Sequence, residues 1–137
     1  MSVATLHHTV KVPSTVEAPR YARRSVGGWI SDRVPKRTLD DVLLATSELV
    51  TNAVLHAEAE PQSSIRVEVI EIGRTLRVCV IDRGHGFDWQ PSTRARRGER
   101  GLGLEIVRRV AERCGVNRNS QNCGWFEVDL RRRFIRG

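Results

Sequence analysis

Three polar signatures stand in a fixed order along this chain, each at the edge of a hydrophobic run. The first, Glu48-Leu49-Val50-Thr51-Asn52-Ala53-Val54-Leu55-His56, closes a segment in which Val42, Ala45, Leu49 and Ala53 recur at helical spacing. The second, Asp82-Arg83-Gly84-His85-Gly86-Phe87, follows the almost unbroken apolar run from Thr75 to Ile81. The third, Arg100-Gly101-Leu102-Gly103-Leu104, opens another amphipathic segment. The chain must therefore adopt a fold that can gather a helix face, a strand end and a helix start.

The remaining elements narrow that choice. Thr5 to Val12 alternates as an edge strand does, and Pro13 ends it. Ser14-Thr15-Val16-Glu17 is a capping-box pattern that predicts a helix to about Arg33, weakened at Gly27-Gly28. After Pro35, Thr38 is the expected cap of a second helix running to near Ala57. Its Asp40 and Asp41 sit where the helix dipole favours negative charge. Ser64 to Ile72 alternates, with Ile65, Val67, Val69 and Glu71 on one face, and Gly73-Arg74 reads as the hairpin turn into the next strand. Phe87 to Arg100 lacks any apolar period and reads as a lid or binding loop over about 87–100. Gly101 to Cys114 predicts a helix stopped by Gly115. Val116–Asn119 and Trp125–Leu130 read as a closing hairpin. Helices and antiparallel strands in this order predict one α+β domain over residues 1–137. It is a two-layer sandwich whose mixed, mostly antiparallel sheet is covered on one face by helices.

Composition excludes several classes. A chain of 137 residues can build one core without staples. No segment approaches the roughly 20 apolar residues of a membrane span, and the start lacks a secretory pattern, so the chain reads as soluble and cytoplasmic. The net charge of +7 is carried by arginines scattered over every segment, Lys11 and Lys36 being the lysines. Without a helix-turn-helix, zinc-finger or aromatic RNA-binding signature, that scatter argues for a solvated surface and against a nucleic-acid partner. Cys79, Cys114 and Cys123 form an odd set without CxxC spacing, which argues against a disulfide framework or zinc site. Cys79, inside a strand-like run, reads as a small core hydrophobe.

The chemistry lies in the signatures. Glu48 and Asn52 are four apart on a helix and share a face. A carboxylate beside an amide oxygen suits magnesium, which takes oxygen ligands and keeps several waters; the carboxylate also suits a general base near a phosphate. Asp82 presents an acceptor-only group matched to the exocyclic amine of adenine, while Gly84 and Gly86 let the backbone turn against a flat ring. Gly101-Leu102-Gly103 sits where a loop becomes a helix, and unpaired N–H groups there attract phosphate. The preceding loop holds Arg94, Arg96, Arg97 and Arg100, any of which could reach a terminal phosphate, the plain alternative for each being solvation. Taken singly, each signature is ordinary: a surface polar pair, an Asp-Gly turn, a helix start. In order and together they describe a pocket for ATP and magnesium.

These residues resemble the Bergerat-fold (GHKL) ATPases, with Glu48 to His56 as the N-box, Asp82-x-Gly84-x-Gly86-Phe87 as the G1 box and Gly101-x-Gly103-Leu104 as the G2 box. The string Glu-Leu-Val-Thr-Asn-Ala and the short lid are most similar to the bacterial anti-sigma factor serine/threonine kinases. The resemblance implies that Asn52 ligates magnesium, Glu48 acts as base and Asp82 reads the adenine amine. Gly84 and Gly86 would shape the adenine wall, and Arg100, Gly101, Leu102, Gly103 and Leu104 would hold the phosphates. It implies a serine or threonine acceptor on a small anti-anti-sigma protein, a bound sigma factor and a homodimer. The alternative is a regulatory module that binds ATP and captures partners without useful catalysis. The family pattern often has Gly-Thr in its last strand pair, supporting the adenine site, where this chain has Trp125-Phe126 after Gly124.

Overall fold

Residues 4–56, 64–82, 99–118 and 122–130 are described in a computed structural model of the chain. They form β1 (Ala4–Pro13), α1 (Ala18–Ile30), α2 (Lys36–His56), β2 (Ser64–Ile72), β3 (Thr75–Asp82), α3 (Glu99–Val110), β4 (Arg113–Arg118) and β5 (Asn122–Asp129). The sheet has five strands in the order β1-β2-β3-β5-β4. Every pairing among them is antiparallel, not mixed as the sequence suggested. β3 and β4 do run the same way, but β5 lies between them, so β3–α3–β4 is a split crossover.

Period-two alternation separates the two faces of the sheet. Ile65, Val67 and Val69 on β2, Leu76, Val78 and Val80 on β3, and Phe126 and Val128 on β5 are buried. Register lines them up: Val67 faces Val80, and Val78 faces Phe126. Onto this face α1 lays Ala18, Ala22, Val26 and Ile30, all at 0% exposure and spaced by four. From α2 come Val42, Ala45, Leu49, Val50 and Ala53, and from α3 Val107, completing one core. Fully burying a Val, Leu or Ile side chain contributes about 1.5–3 kcal/mol, so this single layer contact dominates folding. At the sheet edge, His8 stacks on Trp29 of α1 with ring centroids 4.8 Å apart. Among the described residues no helix is long and apolar enough to cross a membrane.

Several boundaries differ from the sequence expectation because a specific contact outweighs the local signal. The first helix starts at Ala18, not after Ser14: Glu17 is the N-cap without a side-chain bond, and Thr15 Oγ1 accepts the Glu17 N–H at 3.2 Å. It stops at Ile30 rather than Arg33, whose guanidinium instead binds Glu71 of β2 at 2.8 Å. Gly27 does not interrupt it, since a Cβ there would lie 3.7 Å from Leu43 and the two helices pack closely. Thr38 is not a cap: α2 begins at Lys36, and Thr38 is buried in its first turn. The helix expected over 101–114 ends at Val110. The Glu112 N–H bonds Glu127 O at 2.8 Å, and Cys114 and Gly115 continue as β4. Gly115 therefore stops no helix; a Cβ on it would lie 3.0 Å from Trp125 Cζ2.

Candidate functional site

Strand register fixes where the signatures meet. Asp82 pairs with Ile65 on β2 and with Asn122 on β5, and Asn122 pairs with Arg118 on β4, so these four residues mark one end of the sheet. α2 finishes at His56, and residues 57–63 connect it to Ser64 at that same end. α3 finishes at Val110, next to Arg113 at the opposite end of β4. Its 12 residues span about 18 Å, close to the roughly 20 Å of a six-residue strand, so its first turns return toward Asp82. Asp82, the end of α2 and the first turns of α3 thus lie toward one rim of the sandwich.

On α2 the flanks are distinguishable. Arg23 Nη1 donates to Ser47 Oγ at 2.9 Å, and Gly27 packs on Leu43, so α1 covers that side. At about 100° per residue, Glu48 and Asn52 fall on the opposite flank, and α3 is the other helix packed on α2. Asn52 is 4% exposed and donates Nδ2 to the backbone oxygen of Glu48 at 2.9 Å. A backbone carbonyl accepts only, so the amide must offer it nitrogen, and Oδ1 is the group left to face a ligand. Glu48 itself is half-buried one turn earlier. The pair has the donor set that magnesium takes, an amide oxygen beside a carboxylate.

Asp82 prolongs the inward row of Leu76, Val78 and Val80 and has 0% exposure. A carboxylate at the end of an apolar row favours a hydrogen-bond donor over any other neighbour. Beside that row, Gly124 faces Val80 and is buried without a side chain of its own. Trp125 points to the other face of the sheet, while Phe126 enters the core opposite Val78, on the same inner face as Asp82.

Arg100, Gly101, Leu102, Gly103 and Leu104 lie in the first half of α3, which begins at Glu99. The glycines are thus inside its opening turns instead of preceding them. Gly84, Gly86 and most of the lid expected at about 87–100 lie outside the described residues, as does the side chain of His56. Among the described residues there is no cluster of three or more His, Cys, Asp or Glu able to hold a metal.

Residues 12–127 match the family described as the histidine kinase-like ATPase domain. The chain belongs to that family. It is 37% identical over 71 residues to an anti-sigma F factor of Clostridium kluyveri, covering 50% of this chain and 49% of that protein. To serine-protein kinase RsbW of Listeria monocytogenes it is 34% identical over 91 residues, covering 63% and 57%. To the RsbW of Staphylococcus aureus it is 27% identical over 128 residues, covering 81% and 79%. The chain thus spans about half the length of the first of these curated relatives. The crystal structure of the RsbU and RsbW domains of Rv1364c from Mycobacterium tuberculosis shares the fold. Its TM-score is 0.68 at 20% identity, over 92% of this chain and 33% of that one. The family assignment read from the three boxes is borne out.

A second cluster was not foreseen from the sequence. On the sheet face turned away from the helices of this ATPase domain, the Arg77 guanidinium lies 4.4 Å from the centre of the Trp125 ring. Its Nη1 reaches Glu127 at 3.1 Å, and its Nε donates to Cys79 Sγ at 3.4 Å. Arg113 Nε holds the other oxygen of Glu127 at 2.7 Å. Cys79 is buried, at 6% exposure, as expected of a small hydrophobe, but on the outer face and outside the cluster beneath the helices. Period-two parity on β3 and β5 carried that signal, once their register was known.

Proposed function

We propose that the chain is an ATP-dependent serine/threonine-protein kinase of the anti-sigma type. It would phosphorylate a small anti-anti-sigma protein and hold a sigma factor, in the cytoplasm where transcription is regulated, as a homodimer. The observation that carries this reading is the anchoring of Asn52 by its nitrogen, which commits the amide oxygen to the flank it shares with Glu48. The names of the relatives, a serine-protein kinase and an anti-sigma factor, support the same reading.

In this proposal Asp82 accepts a hydrogen bond from the adenine amine, with Gly84 and Gly86 shaping the wall beside it. The start of α3, from Arg100 through Gly101, Leu102, Gly103 and Leu104, offers backbone N–H groups and a positive dipole end to the phosphates. Asn52 would hold magnesium, which when bound neutralises phosphate charge and aligns the triphosphate. Glu48 takes the proton from the acceptor hydroxyl as the phosphoryl group is transferred.

A general base of this kind contributes about 10²–10⁴-fold. Labelled ATP with magnesium, mixed with the chain and a candidate anti-anti-sigma protein, should give labelled partner, and Glu48→Ala should reduce that rate by about 10²-fold or more. Undiminished transfer by the variant removes Glu48 from the reaction. Tight ATP binding with no transfer to any such partner leaves the non-catalytic capture module in its place.

A further inference from the structure

Cys79 stands opposite Trp125, and Ile81 stands opposite Cys123. The two cysteines are therefore diagonal neighbours on adjacent antiparallel strands, with side chains on the same outer face. The Cys123 thiol, whose Sγ donates to Gly124 O at 3.9 Å, neighbours the Cys79 sulfur and lowers the pKa of that thiol. Arg77 Nε donates to that sulfur as well, at 3.4 Å. Arg77 is itself held by the Trp125 ring and Glu127, so its position does not depend on the thiol. Glu68 lies directly across β2 from Cys79 and works against a negative sulfur. The neighbouring Cys123 thiol, helped by Arg77, outweighs both burial and Glu68 and holds the Cys79 thiol well below its ordinary range. Cys123, beside it, is pushed the other way. Cys114 makes a control within the same chain: it lies on the inner face, and burial raises its thiol.

We propose that Cys79 and Cys123 form an oxidisable dithiol, in which Cys79 attacks a hydroperoxide and Cys123 closes an intrachain disulfide across β3 and β5. In the first step the Cys79 thiolate bonds the terminal peroxide oxygen. The O–O bond breaks, and the alkoxide or hydroxide released takes a proton, leaving Cys79 as sulfenic acid. In the second, the Cys123 sulfur attacks the Cys79 sulfur, and the departing hydroxide leaves as water with the proton of Cys123. Two thiols lose two electrons in all, and one hydroperoxide gains them. Cys79, 6% exposed on the outer face, supplies the low-pKa thiol and Cys123 the adjacent resolving thiol, two of the features that oxidation-sensitive sites combine. A diagonal bridge must draw the two residues from about 7–8 Å apart toward the roughly 5.5–6 Å of an ordinary disulfide. The bond is accordingly strained and easily reduced, as labile disulfides are and structural ones are not. The proposal does not depend on nucleotide binding.

The test treats the full chain with a small excess of hydrogen peroxide, then alkylates and digests it. Two of the three free thiols should be lost, the linked peptide should join Cys79 to Cys123, and Cys114 should remain alkylatable. In Cys123→Ala, checked for fold by circular dichroism, peroxide should leave Cys79 as a dimedone-reactive sulfenic acid. The pH midpoint for alkylating Cys79 should also rise in that variant. Retention of all three thiols, a bridge through Cys114, a bridge between two copies, or an unshifted midpoint would each overturn the proposal.

Discussion

At the scale of single residues, what mattered was whether a side chain's neighbours are set locally. Glu48 and Asn52 could be paired from the sequence because a spacing of four on a helix puts them together whatever the tertiary fold does. Asp82 was legible for a related reason: it ends an apolar strand and precedes glycine. Cys79 and Cys123 were not, since their contact depends on the register of two strands far apart in the chain. The proposed role of Asp82 makes a residue-scale prediction. A charge-assisted hydrogen bond contributes about 1.5–3 kcal/mol, so Asp82→Asn should weaken ATP binding about tenfold to a hundredfold. Isothermal titration measures it directly, and equal affinity in the two proteins would mean that the carboxylate does not touch the base.

At the scale of elements, strands and their faces were readable because alternation survives any arrangement of the sheet. β1 as an edge strand and the turn at Gly73, with φ 61°, came out as expected. Helix ends were misread where local composition competed with a distant partner. The apolar periodicity after Gly101 extends into Cys114, yet pairing with β5 draws Arg113 to Arg118 into a strand. Nothing before Arg113 announces that, because the competing hydrogen bonds belong to residues beyond Asn122. Gly115 then acquires a different role: its bare Cα leaves room for the Trp125 ring, a Cβ there being 3.0 Å from ring atom Cζ2. Overpacking of this kind costs about 1–3 kcal/mol. Gly115→Val should lower the urea midpoint accordingly, while the same change in a Trp125→Ala background should cost clearly less. Equal costs in the two backgrounds would show that the ring is not what the glycine accommodates.

At the scale of the whole molecule, the sandwich divides its labour, under the proposed function, between a core at the middle of the sheet and an ATP site at one rim. The order of the three boxes predicted convergence, but the rim itself follows from topology, from β5 lying between β3 and β4 and from α3 running back over the sheet. This division can be measured because core and rim should perturb stability independently. ATP with magnesium at 100 times its dissociation constant adds about 2.7 kcal/mol, which for a chain of this size raises Tm by about 10 °C. Phe126, fully buried at the centre of the sheet, should cost about 3–5 kcal/mol when changed to Ala. The ATP increment should nonetheless be unchanged in free energy, since the same ligand gain is added to a lower baseline. Asp82→Asn should show the reverse, keeping most of the stability of the free chain while losing about half of the increment or more. If Phe126→Ala instead abolished the ATP increment, the rim would not be a preformed site but one assembled by the core, and the separation argued from sheet topology would fail.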